Sequence, residues 1–323
     1  MKRFIAFIML SIGCVFVFSF IFIQEAFALE ASSPVNAEAD SSGVSNSSFE
    51  PDYFTGAATY RYNIDLPSGR QGLTPVLTFF YNSHRRSRPS EVGVGWELSL
   101  YYIERSTIKG LPDYSGEDYI SYENGQARQL LSMGAAPNNC TAYRYKIESA
   151  DQKRFFKCQN YWIMYDKSGK KYLFGQGENT RLENTAQAKT LRWYLENVED
   201  PNHNTIVYHY SVASIDAFFT HGEEDPTDSY KVQNIVLDEI EYTGHGDEPG
   251  TYRVDLQYGN NDHDNPDFRS EFGRTVSKHL SKVLVFERAN QARPIHEYTF
   301  RYEEDQQMLK LAGITVKLKT IIL

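Results

Sequence analysis

The feature that most constrains this chain is a rhythm. Short runs of alternating apolar and polar residues recur, cut roughly every ten residues by Gly, Pro, Asn or Asp. Tyr161-Trp-Ile-Met-Tyr165 and Lys171-Tyr-Leu-Phe174 flank Asp166-Lys-Ser-Gly169, a turn in which glycine takes the left-handed position. Leu191–Val198 and Thr205–Tyr210 flank Asp200-Pro-Asn-His-Asn204 in the same way. Ala58–Ile64, Val76–Tyr81, Trp96–Ile103, Val232–Tyr242, Thr251–Tyr258, Ser281–Glu287 and Ile295–Tyr302 read as further strands. Alternation sends successive side chains to opposite faces of a sheet, and Tyr and Phe, abundant here, favour that setting. No long stretch carries a helical period, and strands do not alternate with helices, which argues against a nucleotide-binding α/β fold. The expectation is an all-β chain: a sandwich, a barrel or a wrapped antiparallel sheet.

Residues 1–28 read as an export signal. Met1-Lys2-Arg3 is a basic start, Phe4–Ile23 is almost unbroken apolar sequence, and Ala26-Phe27-Ala28 is a small-x-small cleavage pattern. Cleavage after Ala28 is the expectation, although an apolar run of this length is also close to that of a membrane-spanning helix, so a retained anchor is the second reading. A lipoprotein cysteine at Cys14 is the third. The first two place the rest of the chain outside the cytoplasm, secreted or at the cell surface. Residues 29–50, poor in aromatics until Phe49, read as a flexible leader, and 51–323 as one β-rich module. Loss of residues 1–28 removes Lys2, Arg3 and Glu25 and moves the net charge from −9 to −10, which argues against nucleic acid or an anionic membrane as partner.

The mature chain keeps two cysteines, Cys140 and Cys158. In an oxidising compartment they point to one disulfide. Ala142–Ile147 and Arg154–Lys157 read as strands joined by a turn at Ser149–Gln152, so a bridge would staple the open end of a hairpin.

No motif for catalysis emerges. There is no His-Glu-x-x-His, no Gly-x-Ser-x-Gly and no phosphate-binding loop. Gly93-Val-Gly95 suits a tight strand entry rather than a dinucleotide site. Asp216–Ser229 and Gly259–Arg269 read as exposed acidic loops. In the second, Asp262, Asp264 and Asp267 are weak calcium candidates, lacking the glycine and closing glutamate of an EF-hand. Asp200, Asn202 and Asn204 read as a turn. Glu196, Glu199 and Asp200 read as a strand end rather than an acid/base pair, His209 as a surface strand residue, and Arg85, Arg86 and Arg88 as a solvated basic loop. Aromatic stripes read as core packing in preference to a carbohydrate platform. No catalytic, cofactor-binding or firm metal residue is expected.

Several longer motifs stand in fixed order: Thr55–Tyr60; Ile64-Asp-Leu-Pro-Ser-Gly-Arg-Gln-Gly-Leu-Thr-Pro75; Val92-Gly-Val-Gly-Trp96; Lys170-Lys-Tyr-Leu-Phe-Gly175; Arg192-Trp-Tyr-Leu195; and Tyr298-Thr-Phe-Arg-Tyr302. Together they resemble the N-terminal module of the SpvB family, the virulence-plasmid 65 kDa B proteins, which also opens the B components of insecticidal toxin complexes. The resemblance runs from about Phe54 to Tyr302. It implies a β wall that helps enclose a toxin cargo together with an Rhs-like C component. It also implies structural roles for Gly56, Pro67, Gly69, Gly72, Pro75, Gly93, Gly95 and Trp96. The family's ADP-ribosyltransferase segment lies outside the matched stretch, so the expected function is non-enzymatic. Leu311–Leu323 reads as a strand cut off mid-fold, and truncation of the module at its C-terminus is one reading of that end. Protein partners are therefore of the Rhs, C-component or toxin-cargo type. A surface adhesin or carbohydrate-binding β protein is the alternative, and an extracellular glycoside hydrolase the least favoured.

Overall fold

The computed structural model describes residues 47–53, 55–85, 90–217, 230–261, 267–289, 292–305 and 308–318. The expected signal segment, most of the leader, Arg86, Arg88, Asp262, Asp264 and residues 218–229 of the first acidic loop lie outside these. Every strand pairing among the described residues is antiparallel, and the helical content there is three single 3-10 turns. None of the described helices is long and apolar enough to cross a membrane.

A small sheet is built from β1 (Ser47–Pro51), β2 (Ala58–Asn63), β3 (Thr78–Asn82) and β4 (Trp96–Leu98), in that order. Among the described residues, sheet pairing begins at Ser47, inside the stretch expected to be leader: Phe49 stands opposite Tyr60, and Ser47 opposite Tyr62. Ladder hydrogen bonds to β2 supply what the polar composition of this segment could not.

A closed barrel follows. Its strands are β5 (Tyr102–Arg105), β6 (Tyr119–Glu123), β7 (Gln126–Ala136), β8 (Cys140–Tyr145), β9 (Arg154–Cys158), β10 (Tyr161–Tyr165) and β11 (Lys171–Phe174). After the short β12 (Arg181–Asn184) comes β13 (Lys189–Glu199), which closes the ring. The first part of β13 pairs with β5 through Arg192–Tyr194, and its last part with β11 through Leu195–Glu199. Closure leaves the ring without free edges. The expected single strand Trp96–Ile103 breaks at Ser99–Tyr101, because the chain leaves the small sheet there and enters the barrel.

The second half of the chain is a meander continuing from β13. It comprises β14 (Asn204–Ala217), β15 (Tyr230–His245), β16 (Tyr252–Asn260), β17 (Lys278–Glu287), β18 (His296–Asp305) and β19 (Met308–Leu318). β14 and β15 are longer than the alternation suggested, since one ladder carries them from Asn204–His245 to Ala217–Tyr230. β19 is the outer strand, with Val316 and Leu318 exposed.

The core is continuous. In the barrel, residues on one face of each strand point inward: Ile103, Tyr119, Tyr143, Phe155, Trp162, Met164, Phe174 and Trp193 are all buried. Rings from non-adjacent strands meet, Tyr119 and Trp162 at 4.9 Å and Trp162 and Trp193 at 6.1 Å between centroids. The interior is therefore packed with side chains and is not a channel. The small sheet lies on the meander, where Phe79 meets Phe300 edge-on at 4.9 Å. The Tyr242 hydroxyl donates to the Pro67 carbonyl at 3.0 Å, and Asp65 N–H donates to the Tyr298 hydroxyl at 3.0 Å. Tyrosine suits this seam because its ring is buried while its hydroxyl finds a backbone partner.

Candidate functional site

Two places concentrate specific chemistry: a clasp between the sheets and one mouth of the barrel. The clasp is the loop Ser90–Trp96. Ser90 Oγ donates to the Trp96 carbonyl at 2.5 Å and accepts from Val92 N–H at 3.1 Å, tying the loop to itself. The Glu91 carbonyl then accepts from Leu280 N–H of β17 at 2.7 Å, and Val94 N–H donates to the Leu309 carbonyl of β19 at 2.9 Å. Gly93, at φ 94°, lies so close to β19 that a β-carbon would sit 3.0 Å from the Leu309 oxygen and 3.1 Å from Leu311 N. Only glycine gives both that dihedral and that approach. Trp96 leaves the loop to pack against Tyr60 and Tyr81, at 5.8 and 5.4 Å. Burial outweighs the nearby Arg192 and Arg274 and pushes the Glu91 carboxyl above its ordinary value.

The other residues of the family motif sit in the turns and loops of the small sheet. Gly56 closes a turn through its N–H to the Asp52 carbonyl at 2.7 Å. Gly69 and Gly72 shape the connection from β2 to β3, where Gly69 N–H donates to Thr74 Oγ1 at 2.8 Å. Pro75 is buried and Gly95 faces the Tyr81 ring.

The barrel mouth is a pocket of about 460 Å³. It forms where the Asn124-Gly125 turn of the β6–β7 hairpin meets Arg61 of β2, and its other wall is the Asp166–Lys170 turn. Lys153 is almost buried and pairs with Glu123, while Arg128 pairs with Asp151 at 3.0 Å. Asp166 is occupied by its own turn, accepting from Ser168 N–H and Oγ and from Lys170 N–H, and the Tyr172 hydroxyl reaches it at 3.3 Å. Although burial opposes it, those hydrogen bonds hold the Asp166 carboxyl below its ordinary value.

The remaining sequence candidates separate in space. Cys140 and Cys158 face one another across β8 and β9 and are joined by a disulfide, with Cα atoms 4.2 Å apart. Glu196 accepts from Gln176 N–H and Gly177 N–H, both at 2.7 Å. Glu199 contacts His203 Nδ1 at 2.7 Å, and Asp200 accepts from the N–H groups of Asn202 and Asn204. Each of these carboxylates thus has a local structural partner. His209 is exposed on β14. Asp267, the one calcium candidate among the described residues, is bound by Arg269 and Arg274 at 2.7 and 2.6 Å. Burial works the other way, but these bonds hold its carboxyl far below the ordinary aspartate value. Among the described residues no group of His, Cys, Asp and Glu is placed to hold a metal ion. Arg85 pairs with Glu97, which also accepts from the Tyr122 hydroxyl, so it serves the seam between the small sheet and the barrel.

The sequence reading passed over the β6–β7 hairpin, and with it the barrel mouth. Asn124-Gly125 is a two-residue hairpin signal that marks it. It quoted Arg192 only within the motif Arg192–Leu195 and gave it no role; its guanidinium holds Glu104 Oε2 from two nitrogens, at 2.9 and 2.7 Å, and lies 3.9 Å over the Tyr102 ring.

An aromatic-filled barrel extended by a meander that carries a second sheet defines an all-β module. The chain belongs to the SpvB family, the Salmonella virulence plasmid 65kDa B protein family, whose sequence model matches residues 52–270. Mono(ADP-ribosyl)transferase SpvB of Salmonella choleraesuis strain SC-B67 and its namesake from Salmonella enteritidis are each 26% identical over 206 residues, covering 56% of this chain and 34% of theirs. The chain thus spans about a third of the length of the curated relatives it matches. The structure of the N-terminal domain of effector protein SpvB from Salmonella typhimurium strain LT2 superposes with a TM-score of 0.61 at 18% identity, over 80% of this chain and 98% of that domain. TcdB2-TccC3 superposes at 0.68 with 16% identity, over 84% of this chain and 16% of that one. The Photorhabdus luminescens Tc holotoxin pore superposes at 0.64 with 16% identity, over 84% of this chain and 16% of that one. At these identities the solved structures establish a common fold, shared with TcdB2-TccC3 and with the SpvB N-terminal domain.

Proposed function

We propose that this chain is an exported, non-enzymatic wall module that contributes β-sheet to a shell and assembles there with a toxin-type protein partner or cargo. The observation that carries this reading is the superposition on TcdB2-TccC3 across 84% of the chain, barrel and meander included. The packed barrel agrees with it: an interior filled by Trp162, Trp193, Tyr119 and Tyr143 serves rigidity, so any enclosed space lies against the sheets and not within the ring. The non-enzymatic part rests on where the likeness falls, on the N-terminal domain of SpvB. The export part rests on residues 1–28, the partner class on TccC3 in the neighbouring structures.

The test is reconstitution. The full chain, co-expressed with Rhs-like or C-component-like proteins encoded beside its gene, is expected to co-purify in one stoichiometric complex by size-exclusion chromatography with light scattering. A chain that stays monomeric beside every such neighbour, and that modifies a protein when supplied with labelled NAD, would remove both halves of the proposal.

A further inference from the structure

The barrel mouth carries an inference independent of the wall-module reading. Mouths of β-barrels are recurrent ligand sites, and 460 Å³ lies within the usual range of about 300–1,000 Å³ for small-molecule pockets. Two observations give this one a chemical character. First, its cations outnumber its anions: Arg61, Arg128, Lys153 and Lys167 stand against Glu123, Asp151 and Asp166. Glu123 and Asp151 are each paired with one of these cations, and Asp166 is engaged by its own turn. Arg61 and Lys167 are left without a carboxylate partner among the described residues, Arg61 lying 5.1 Å over the Phe80 ring.

Second, the wall is rich in groups that pair with hydroxyls, the amides of Asn124 and Gln126, beside the half-buried ring of Tyr172.

A bare anion would use the cations but leave the amides idle, and a neutral sugar would leave Arg61 and Lys167 unused. The geometry points to a carboxylated monosaccharide, a uronic or sialic acid, as the ligand of the barrel mouth. Its carboxylate meets Arg61 and Lys167, and its hydroxyls meet Asn124 and Gln126.

The experiment titrates the full chain by NMR or calorimetry with glucuronic acid, N-acetylneuraminic acid, glucose and inorganic phosphate. One acidic sugar is expected to bind with a Kd of about 1 mM or tighter, with glucose and phosphate at least tenfold weaker. Lys167→Gln, an exposed turn substitution that leaves the fold intact, and Arg61→Gln should each weaken that binding several-fold and together at least tenfold. Lys109→Gln, on the distant β5–β6 connection, should leave it unchanged. Three results would overturn the inference: no binding of either acid, glucose or phosphate binding as tightly as the acids, or acid binding that survives the double substitution in a chain with an unchanged circular dichroism spectrum.

Discussion

Gly175 lies directly against Trp193: a β-carbon there would overlap Cδ1 of the indole and sit 2.9 Å from its Cβ. Gly175 also holds φ at 70° as the chain leaves β11, and its N–H donates to the Tyr194 carbonyl at 3.0 Å. This is where β11 and β13 close the barrel, so the glycine sets how near the last strand comes to the first large ring inside. Gly175→Ala combines backbone strain with overpacking and should cost roughly 2–4 kcal/mol. The urea midpoint measures it, and a change within experimental error would mean that the indole has room to move.

Inside the ring, Trp162 meets Tyr119, Tyr143 and Trp193. Truncation leaves a large cavity among rings that belong to different strands and cannot collapse together. Trp162→Ala should destabilise by about 3–5 kcal/mol. Trp162→Phe should recover more than half of that loss in the same denaturation series.

The Arg192–Glu104 pair is largely shielded from water and supported by Tyr102. Breaking one side strands the other charge. Glu104→Ala should therefore cost about 3–5 kcal/mol, and the double change Glu104→Leu with Arg192→Met markedly less. A double-mutant cycle by urea unfolding gives the coupling directly.

Glu91 makes stability depend on pH with a definite sign. Burial raises its carboxyl above the ordinary 4.5, so the folded chain holds the proton at pH values where the unfolded chain has released it. That contribution favours folding below pH 4.5 and is lost as pH rises toward the folded value. Glu91→Gln should therefore gain on the native protein between pH 4 and pH 7.5. Parallel urea titrations at these two values would show the gap widening with pH, and a constant gap would contradict the assignment.

Cys140 and Cys158 close a loop of 18 residues in sequence separation at the end of the β8–β9 hairpin. Reduction should raise the intact mass by two hydrogen atoms and lower stability by about 3 kcal/mol. Cys140→Ser with Cys158→Ser should reproduce the stability loss and be insensitive to reductant.

Much of the local structure was legible in the residues. Tyr161–Tyr165 and Lys171–Phe174 are strands with the bounds that their alternation implies, because a strand with one face buried writes that face into every second residue. The turn at Asp200–Asn204 and the inward direction of most aromatic rings follow from the same local logic. The start at Ser47, the break at Ser99–Tyr101 and the full length of β14 and β15 were not legible. Each depends on a partner strand distant in sequence, which supplies hydrogen bonds whatever the local side chains prefer.

By itself, then, the sequence determined the class of structure: antiparallel strands, their turns, a family motif, and the absence of a helical layer. Only the tertiary structure decided that β5 to β11 close on β13 while the later strands do not close. Closure depends on which half of β13 faces which partner, a choice made by the shapes of Trp193, Gly175 and the rings they meet. The barrel mouth is a product of the same closure. Arg61, Ser121, Lys153 and Lys167 come from four different elements, and no spacing along the chain records that they share one pocket.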